Sequence, residues 1–147
     1  MKYDIQLSEN FKLSEFTRSS TATARGIDNT PTLDVVSNLQ QLCINVLEPL
    51  RTHVREPVII SSGYRSQELN KAVGGSNTSQ HMRGEACDIH LADVKKLREW
   101  FAWLMDNTNF DQLILEKSSP ASTHYWIHVS YRQDAHNRHQ VLYLTKA

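Results

Sequence analysis

The chain has 147 residues, a length typical of one compact domain that buries about 70% of the surface its unfolded form exposes. Hydrophobic residues make up 39% of the chain and charged residues 22%, a composition typical of soluble globular proteins. The formal net charge is zero, which argues against the phosphate backbone of a nucleic acid as the main partner.

Residues 1–30 are polar and rich in turn-forming residues, and they predict an N-terminal arm packed on a single domain that spans residues 1–147. The opening sequence MKYDIQLSEN lacks the apolar run of about 7–15 residues that marks a secretory signal peptide. No stretch of about 18 apolar residues follows, so no membrane insertion is predicted. We therefore expect a chain made in the cytoplasm that needs a separate route to any substrate outside the membrane.

A long helix is predicted after the arm. Thr30 is the candidate N-cap, and Pro31 suits the first helical position because its missing N–H has no partner there. Apolar residues, among them Cys43, then recur at helical spacing until the helix ends near His53. Since proline disfavours a helical conformation in the preceding residue, a bend is expected before Pro49.

Strands and two more helices are predicted in the rest of the chain. Ser66 should cap a short helix that runs to about Ala72 and is ended by Gly74 and Gly75, and a further helix is expected over 93–106. Strand patterns are found at 57–62, 87–91, 110–116, 124–131 and 140–145. Because helices come first and strands cluster later, we expect an α+β fold with a mainly antiparallel sheet packed with helices.

The central segment SQHMRGEACDIHL contains two potential metal ligands. His81 and Asp88 supply an imidazole and a carboxylate seven positions apart, and both are good ligands for zinc. Gly84 between them lets the backbone turn back sharply. The adjacent Cys87 forms no CxxC pair with Cys43, so both cysteines are interpreted as buried thiols rather than ligands.

Strand 124–131 offers a third ligand. Side chains alternate between the two faces of a strand, so His124, Trp126, His128 and Ser130 share one face, while the apolar residues between them are predicted to face the core. With His128, the ligand set reaches the three protein groups of a typical catalytic zinc site, which keeps one position open for water. The chain has 7 histidines, so a purely structural histidine is the alternative at each position.

Two motifs together carry a resemblance to a known family. The run Ser79-x-His81-x-x-Gly84-x-Ala86-x-Asp88, followed by WIHVS at 126–130, resembles the D-Ala-D-Ala carboxypeptidase-type zinc metallopeptidases, which share a superfamily with lysostaphin-type peptidases and hedgehog domains. The similarity extends over 11–131 to a branch found in phage and bacterial genomes. It implies a hedgehog/D-Ala-D-Ala peptidase-like fold and one zinc ion bound by His81, Asp88 and His128.

The resemblance also implies catalytic roles. Arg65, in the motif SGYRS, matches an arginine that polarises the scissile carbonyl or binds the substrate carboxylate, although an ion pair that only orders the loop is an alternative. Better-known branches carry a general base three residues before the last histidine, where this chain has Tyr125. Glu116 is the best replacement, and Asp111 and Glu85 are weaker candidates.

The expected function is therefore hydrolysis of peptide bonds in peptidoglycan stem peptides by a monomeric zinc carboxypeptidase or endolysin-like enzyme. Glu116 would accept a proton from a zinc-activated water, and Ser79, Gln80 and Trp126 are expected to line the substrate cleft. His90, on the same strand face as Asp88, either supports the site or is structural. Two alternatives remain: a zinc-stabilised binding module without catalysis, and an amidase or dipeptidase that acts on free peptides.

Overall fold

The computed structural model describes residues 4–145 and has two β-sheets. The strands, in chain order, are β1 (Gln6–Ser8), β2 (Phe11–Lys12), β3 (Ile59–Ser62), β4 (Ala86–His90), β5 (Gln112–Lys117), β6 (Tyr125–Ser130) and β7 (Gln140–Thr145). β1 and β2 form a small antiparallel pair, and the others form a five-stranded sheet in the order β3-β4-β6-β5-β7. Only β5 and β7 are parallel, which confirms the predicted α+β fold with a mainly antiparallel sheet.

Six α-helices accompany these sheets in the described part of the chain. They are α1 (Ser14–Thr17), α2 (Ser20–Arg25), α3 (Leu33–Leu42), α4 (Glu48–Val54), α5 (Gln67–Ala72) and α6 (Val94–Asn107). A π-helical segment, Cys43–Leu47, joins α3 to α4, and a 3₁₀ turn covers Gln80–Arg83. No helix within residues 4–145 is long and apolar enough to cross a membrane.

The long predicted helix begins two residues later than the sequence indicates. Thr32, not Thr30, is the N-cap, and its Oγ1 accepts a hydrogen bond from the Val35 N–H at 3.4 Å. The backbone widens into the π-helical segment just before Pro49, whose missing N–H interrupts the α-helical ladder. The bend expected there is thus a change of hydrogen-bond register. The other predicted elements lie within two residues of the observed bounds.

One face of the five-stranded sheet packs on the helices and forms the core. Its side chains from β4, β5 and β6 are buried and include Cys87, Ile89, Leu113, Ile127 and Val129. Both cysteines are buried and unpaired, as predicted, and burial raises the pKa of each thiol. The alternate side chains of the same strands therefore point to the opposite face, where the candidate ligands lie.

The N-terminal arm is more ordered than its sequence indicates. Residues 4–30 contain β1, β2, α1 and α2, and four of their side chains belong to the core, namely Leu7, Phe11, Leu13 and Phe16. The Glu48 carboxylate in α4 accepts hydrogen bonds from the Ser8 hydroxyl, the Asn10 N–H and the Asn10 amide, at 2.5–2.7 Å. The arm thus supplies part of the core.

Candidate metal centre

Three separate elements bring the candidate ligands together. His81 comes from the 3₁₀ turn, Asp88 from β4 and His128 from β6, and the last two residues lie directly opposite each other in the antiparallel register. Gly84 ends the 3₁₀ turn with φ of 71°, the left-handed conformation that returns the chain into β4. One ligand atom from each of the three residues lies within 4.8 Å of the other two, and all three side chains are buried.

The hydrogen bonds of the histidines fix which atoms face the centre. His81 Nδ1 lies 2.7 Å from the Gly63 carbonyl oxygen, and because a carbonyl only accepts, Nδ1 carries the proton. The lone pair of His81 is then on Nε2, which lies 3.4 Å from Asp88 Oδ1. His128 Nδ1 lies 3.1 Å from the same oxygen. Ligand atoms about 2.0–2.2 Å from a tetrahedral zinc ion are separated by roughly 3.3 Å, so these residues fit zinc.

Electrostatics favours the protonation states that a metal requires. Burial alone would raise the pKa of Asp88, but His81 and His128 outweigh burial, so the pKa of this carboxyl lies well below its usual range. Burial lowers the pKa of His81, against the opposing effect of Asp88. At neutral pH the Asp88 carboxyl is therefore ionised, which is the form that can bind a metal.

A cavity of about 150 Å³ adjoins the three ligands, and both Arg65 and Glu116 line it. Arg65 Nη2 is 3.8 Å from Asp88 Oδ2. Burial lowers the pKa of Arg65, whereas the negative charges of Asp88 and Glu116 raise it. An arginine remains a cation at any ordinary pH, so the cavity holds a fixed positive charge beside the metal ligands.

Asn70 positions Arg65, a role the sequence did not indicate. Asn70 is 3% exposed, accepts a hydrogen bond from Arg65 Nη1 at 3.1 Å and donates one to the Ser76 carbonyl at 2.8 Å. Gly75 packs so closely here that a Cβ at this position would lie 2.9 Å from Arg65 Nη1. Asparagine is uncommon inside helices, and its presence in a short one was the available signal.

Of the three candidate bases, only Glu116 lines the metal cavity. It is 9% exposed, near the end of β5, opposite Trp126 in β6. Asp111 is fully buried and accepts hydrogen bonds from Arg138 Nε and Nη2, at 3.0 and 2.8 Å. Glu85 pairs with the Nε of a neighbouring arginine at 2.8 Å. The geometry therefore favours Glu116 among the three candidates.

The expected cleft residues lie in different surroundings. Ser79 lines the metal cavity and accepts a hydrogen bond from the His81 N–H at 3.2 Å. Gln80 is buried, and its Nε2 donates to Asp111 at 3.0 Å. Trp126 lies farther along β6, with its ring centroid 5.8 Å from that of His124.

Two further strand residues, His90 and Tyr125, lie on opposite faces of the sheet. The His90 ring centroid lies 5.6 Å from that of His124, so His90 belongs to a row of rings along the open face of the sheet. Tyr125 packs against the core, on the other face from the ligands, as strand alternation predicts. Its ring also contacts the Arg98 guanidinium at 5.0 Å. The position that carries the usual base is therefore turned away from the cavity.

Comparison with known proteins gives one family match. A family model described as Peptidase M15 matches residues 9–130. The match includes the three candidate ligands and the two charged residues beside them. No curated protein matches the chain.

Proposed function

The chain belongs to the Peptidase M15 family, whose members are zinc-dependent metallopeptidases, and on this premise we propose that it hydrolyses peptide bonds in the stem peptides of bacterial peptidoglycan. One observation carries the proposal of catalysis: a carboxylate and a guanidinium, those of Glu116 and Arg65, line the same small cavity as the three candidate ligands. A carboxylate and a cation are the groups that proton transfer and stabilisation of a developing negative charge require.

The ligands define what a bound metal would contribute. Zinc held by His81, Asp88 and His128 would supply a Lewis acid that lowers the pKa of water to about 7 and polarises a carbonyl. The Gly63 carbonyl holds the His81 ring with its Nε2 lone pair toward the centre, and the ionised Asp88 faces both imidazoles. These contacts preorganise the ligands before a metal arrives.

Glu116 is proposed as the general base. Its carboxylate would accept a proton from the attacking water and pass that proton to the nitrogen of the leaving amine. It lies near the end of β5, which pairs with β6 on one side and with β7 on the other, so the sheet holds its backbone in place. A positioned base in a site of limited solvent access suits this transfer.

Arg65 is proposed to stabilise the negative charge that develops on the carbonyl oxygen. Its guanidinium is held in place by Asn70, and by Ser62, whose Oγ accepts from Nε at 3.3 Å. A donor fixed before the reaction begins costs no reorganisation when the charge appears. The ion pair with Asp88 is long, at 3.8 Å, so this contact alone is a weak constraint on the guanidinium.

Digestion of purified peptidoglycan by the zinc-loaded protein tests the proposal. Mass spectrometry of the released fragments would identify the bond that is cut and would separate end-trimming from internal cleavage. Soluble dipeptides, assayed in parallel, would reveal a dipeptidase instead. If the zinc-loaded protein cleaves neither walls nor peptides, the zinc-stabilised binding module becomes the better explanation.

A further inference from the structure

A wide groove continues from the metal cavity. Its volume is about 590 Å³, and it shares Ser76, Ser79 and His128 with the smaller cavity. A peptide bound at the metal ligands could therefore extend into this groove along the protein surface. None of the catalytic roles proposed above makes use of the groove.

The groove combines an aliphatic part with a cationic part. Ile114 of β5 and Leu142 of β7 are paired neighbours in the sheet, and Leu144, 46% exposed, follows on the same face of β7. Three arginines also line the groove, Arg83, Arg132 and Arg138. The lining thus offers apolar contact and positive charge to one ligand.

Arg132 is the arginine whose charge is not compensated. Arg138 forms a two-pronged ion pair with the buried Asp111, and Arg83 is paired with Glu85. Within residues 4–145, no carboxylate lies within 4.0 Å of the Arg132 guanidinium. A partly buried guanidinium without a partner is a ready binding group for an anion.

The charge around Arg132 is asymmetric. On its other side, Arg132 borders a depression of about 750 Å³ that is lined by Asp34, Asp134 and the Arg83–Glu85 ion pair. On the metal side, Asp111 is the acidic residue of the groove lining, and its two oxygens already accept hydrogen bonds from Arg138. The groove on the metal side is therefore the more positive of the two surfaces, and an anionic ligand is favoured there.

We propose that the groove is a substrate subsite in which Arg132 binds a carboxylate of the peptide while the aliphatic floor holds a neighbouring apolar side chain. This inference rests on the proposed peptidase function and adds a specificity to it: acidic peptides are preferred. A side-chain carboxylate and a C-terminal carboxylate present the same chemistry to Arg132.

Three matched synthetic stem peptides would test the subsite: one with both carboxylates, one with the side-chain carboxylate replaced by an amide, and one with a C-terminal amide. Their dissociation constants are measured by calorimetry with zinc-supplemented Glu116→Gln protein, in which turnover is expected to be slow. One of the amides is expected to bind roughly tenfold more weakly than the diacid, which identifies the carboxylate that is recognised.

The same titrations are repeated with two double variants, in which Arg132→Ala or Arg132→Gln is combined with Glu116→Gln. Both changes should abolish the preference for the acid, while the binding of the matching amide stays within about twofold. The loop should survive, since Asn137 bonds only the backbone N–H and carbonyl of residue 132. Arg25→Ala removes one charge from an exposed position outside the groove and should keep the preference.

The results separate failure of the subsite from failure of the peptidase function. If the wild type cleaves peptides but acid and amide forms bind equally well, the subsite is wrong and the peptidase function stands. If no peptide is cleaved but the acid preference depends on Arg132, the subsite stands without catalysis. A preference that persists in both Arg132 variants would also overturn the proposal.

Discussion

At the scale of single residues, the candidate metal centre depends on one carboxylate oxygen. Asp88 Oδ1 faces His81 Nε2 at 3.4 Å and His128 Nδ1 at 3.1 Å. The Asp88 pKa is held low by those imidazoles, so removal of a histidine leaves a buried negative charge with less compensation. A metal ion would provide that compensation.

Zinc content should follow directly from this arrangement. The purified protein is expected to carry about one zinc per chain, and His81→Ala or His128→Ala should remove most of it because only two of three protein ligands remain. Elemental analysis after gel filtration measures the ratio. His136→Ala, at an exposed position, serves as control and should keep its zinc. Full zinc occupancy in both ligand variants would contradict the assignment.

Glu116→Gln tests the proposed base. The amide has almost the same shape and Glu116 is not among the candidate ligands, so folding and zinc content should be retained. Hydrolysis should fall by roughly 10²–10⁴-fold, the usual effect of losing a positioned acid–base group.

Tyr125→Phe is the matched control, since it changes a hydroxyl on the core side of β6 and should have little effect on the rate. Initial rates on a soluble peptide, with zinc content determined in parallel, measure both variants. Near-normal hydrolysis by zinc-loaded Glu116→Gln would exclude Glu116 as the base.

At the scale of secondary-structure elements, the glycine that precedes β4 sets the direction of the metal-binding segment. Gly84 has φ of 71°, and a Cβ at this position would lie 2.7 Å from the Val35 carbonyl oxygen in α3. Gly26, at the end of α2, has a similar φ of 65°, but a Cβ there would meet no atom of the described residues within 4 Å. A comparison of these two positions therefore distinguishes the effect of a left-handed backbone from the effect of a steric clash.

Alanine substitutions at these two sites should differ in effect. Gly26→Ala is expected to cost about 1 kcal/mol of unfolding free energy, from the left-handed backbone alone. Gly84→Ala adds a clash with helix backbone and should cost about 3 kcal/mol or more, and it should also weaken zinc binding. Urea unfolding monitored by circular dichroism compares them. Equal losses would show that the contact with α3 relaxes without cost.

Some secondary-structure elements could be predicted from the sequence, and others could not. Elements with regular apolar spacing, such as α6 and the strands β3 to β7, were predicted within two residues, because their pattern follows from one buried face. The short elements of the arm were missed because long-range contacts hold them, such as the bonds of Ser8 and Asn10 to Glu48. The arm elements are two to six residues long and polar, and they lack the regular apolar spacing that made strands of similar length detectable.

For a related reason, only part of the candidate site could be predicted from the sequence. Strand alternation placed His128 and Tyr125 on opposite faces, because this follows from sequence alone. Asn70 and the unpaired charge of Arg132 were missed, since both depend on which loops and helices meet in space. Contacts made between distant segments leave no local pattern.

At the scale of the whole molecule, Asp111 joins three distant segments. It lies just before β5, accepts a hydrogen bond from Gln80 beside the candidate ligand His81, and accepts three from Arg138 in the segment before β7. Burial alone would raise the Asp111 pKa, but the hydrogen bonds and charge of Arg138 outweigh burial and lower it. The ionised form therefore stabilises the folded state.

This linkage predicts a loss of stability in acid. A lowered carboxyl pKa contributes stability that is fully present above its usual value of about 3.9 and is lost as pH falls through the folded pKa. Asp111→Asn should reduce the unfolding free energy by about 2 kcal/mol at pH 7, and its deficit should shrink below about pH 4. Urea titrations with a chelator present, from pH 7 to 3, measure this difference. A constant deficit across the range would contradict it.

The contact between the arm and Gly63 has a consequence for the order of assembly. The backbone of Phe16 lies so close to Gly63 that no side chain fits between them, and its carbonyl accepts a hydrogen bond from the Tyr64 N–H at 2.7 Å. Because the Gly63 carbonyl orients His81, a candidate metal ligand, we expect docking of the arm and orientation of this ring to be coupled during folding. The time at which a refolding chain binds its metal would therefore report when its N-terminal segment docks.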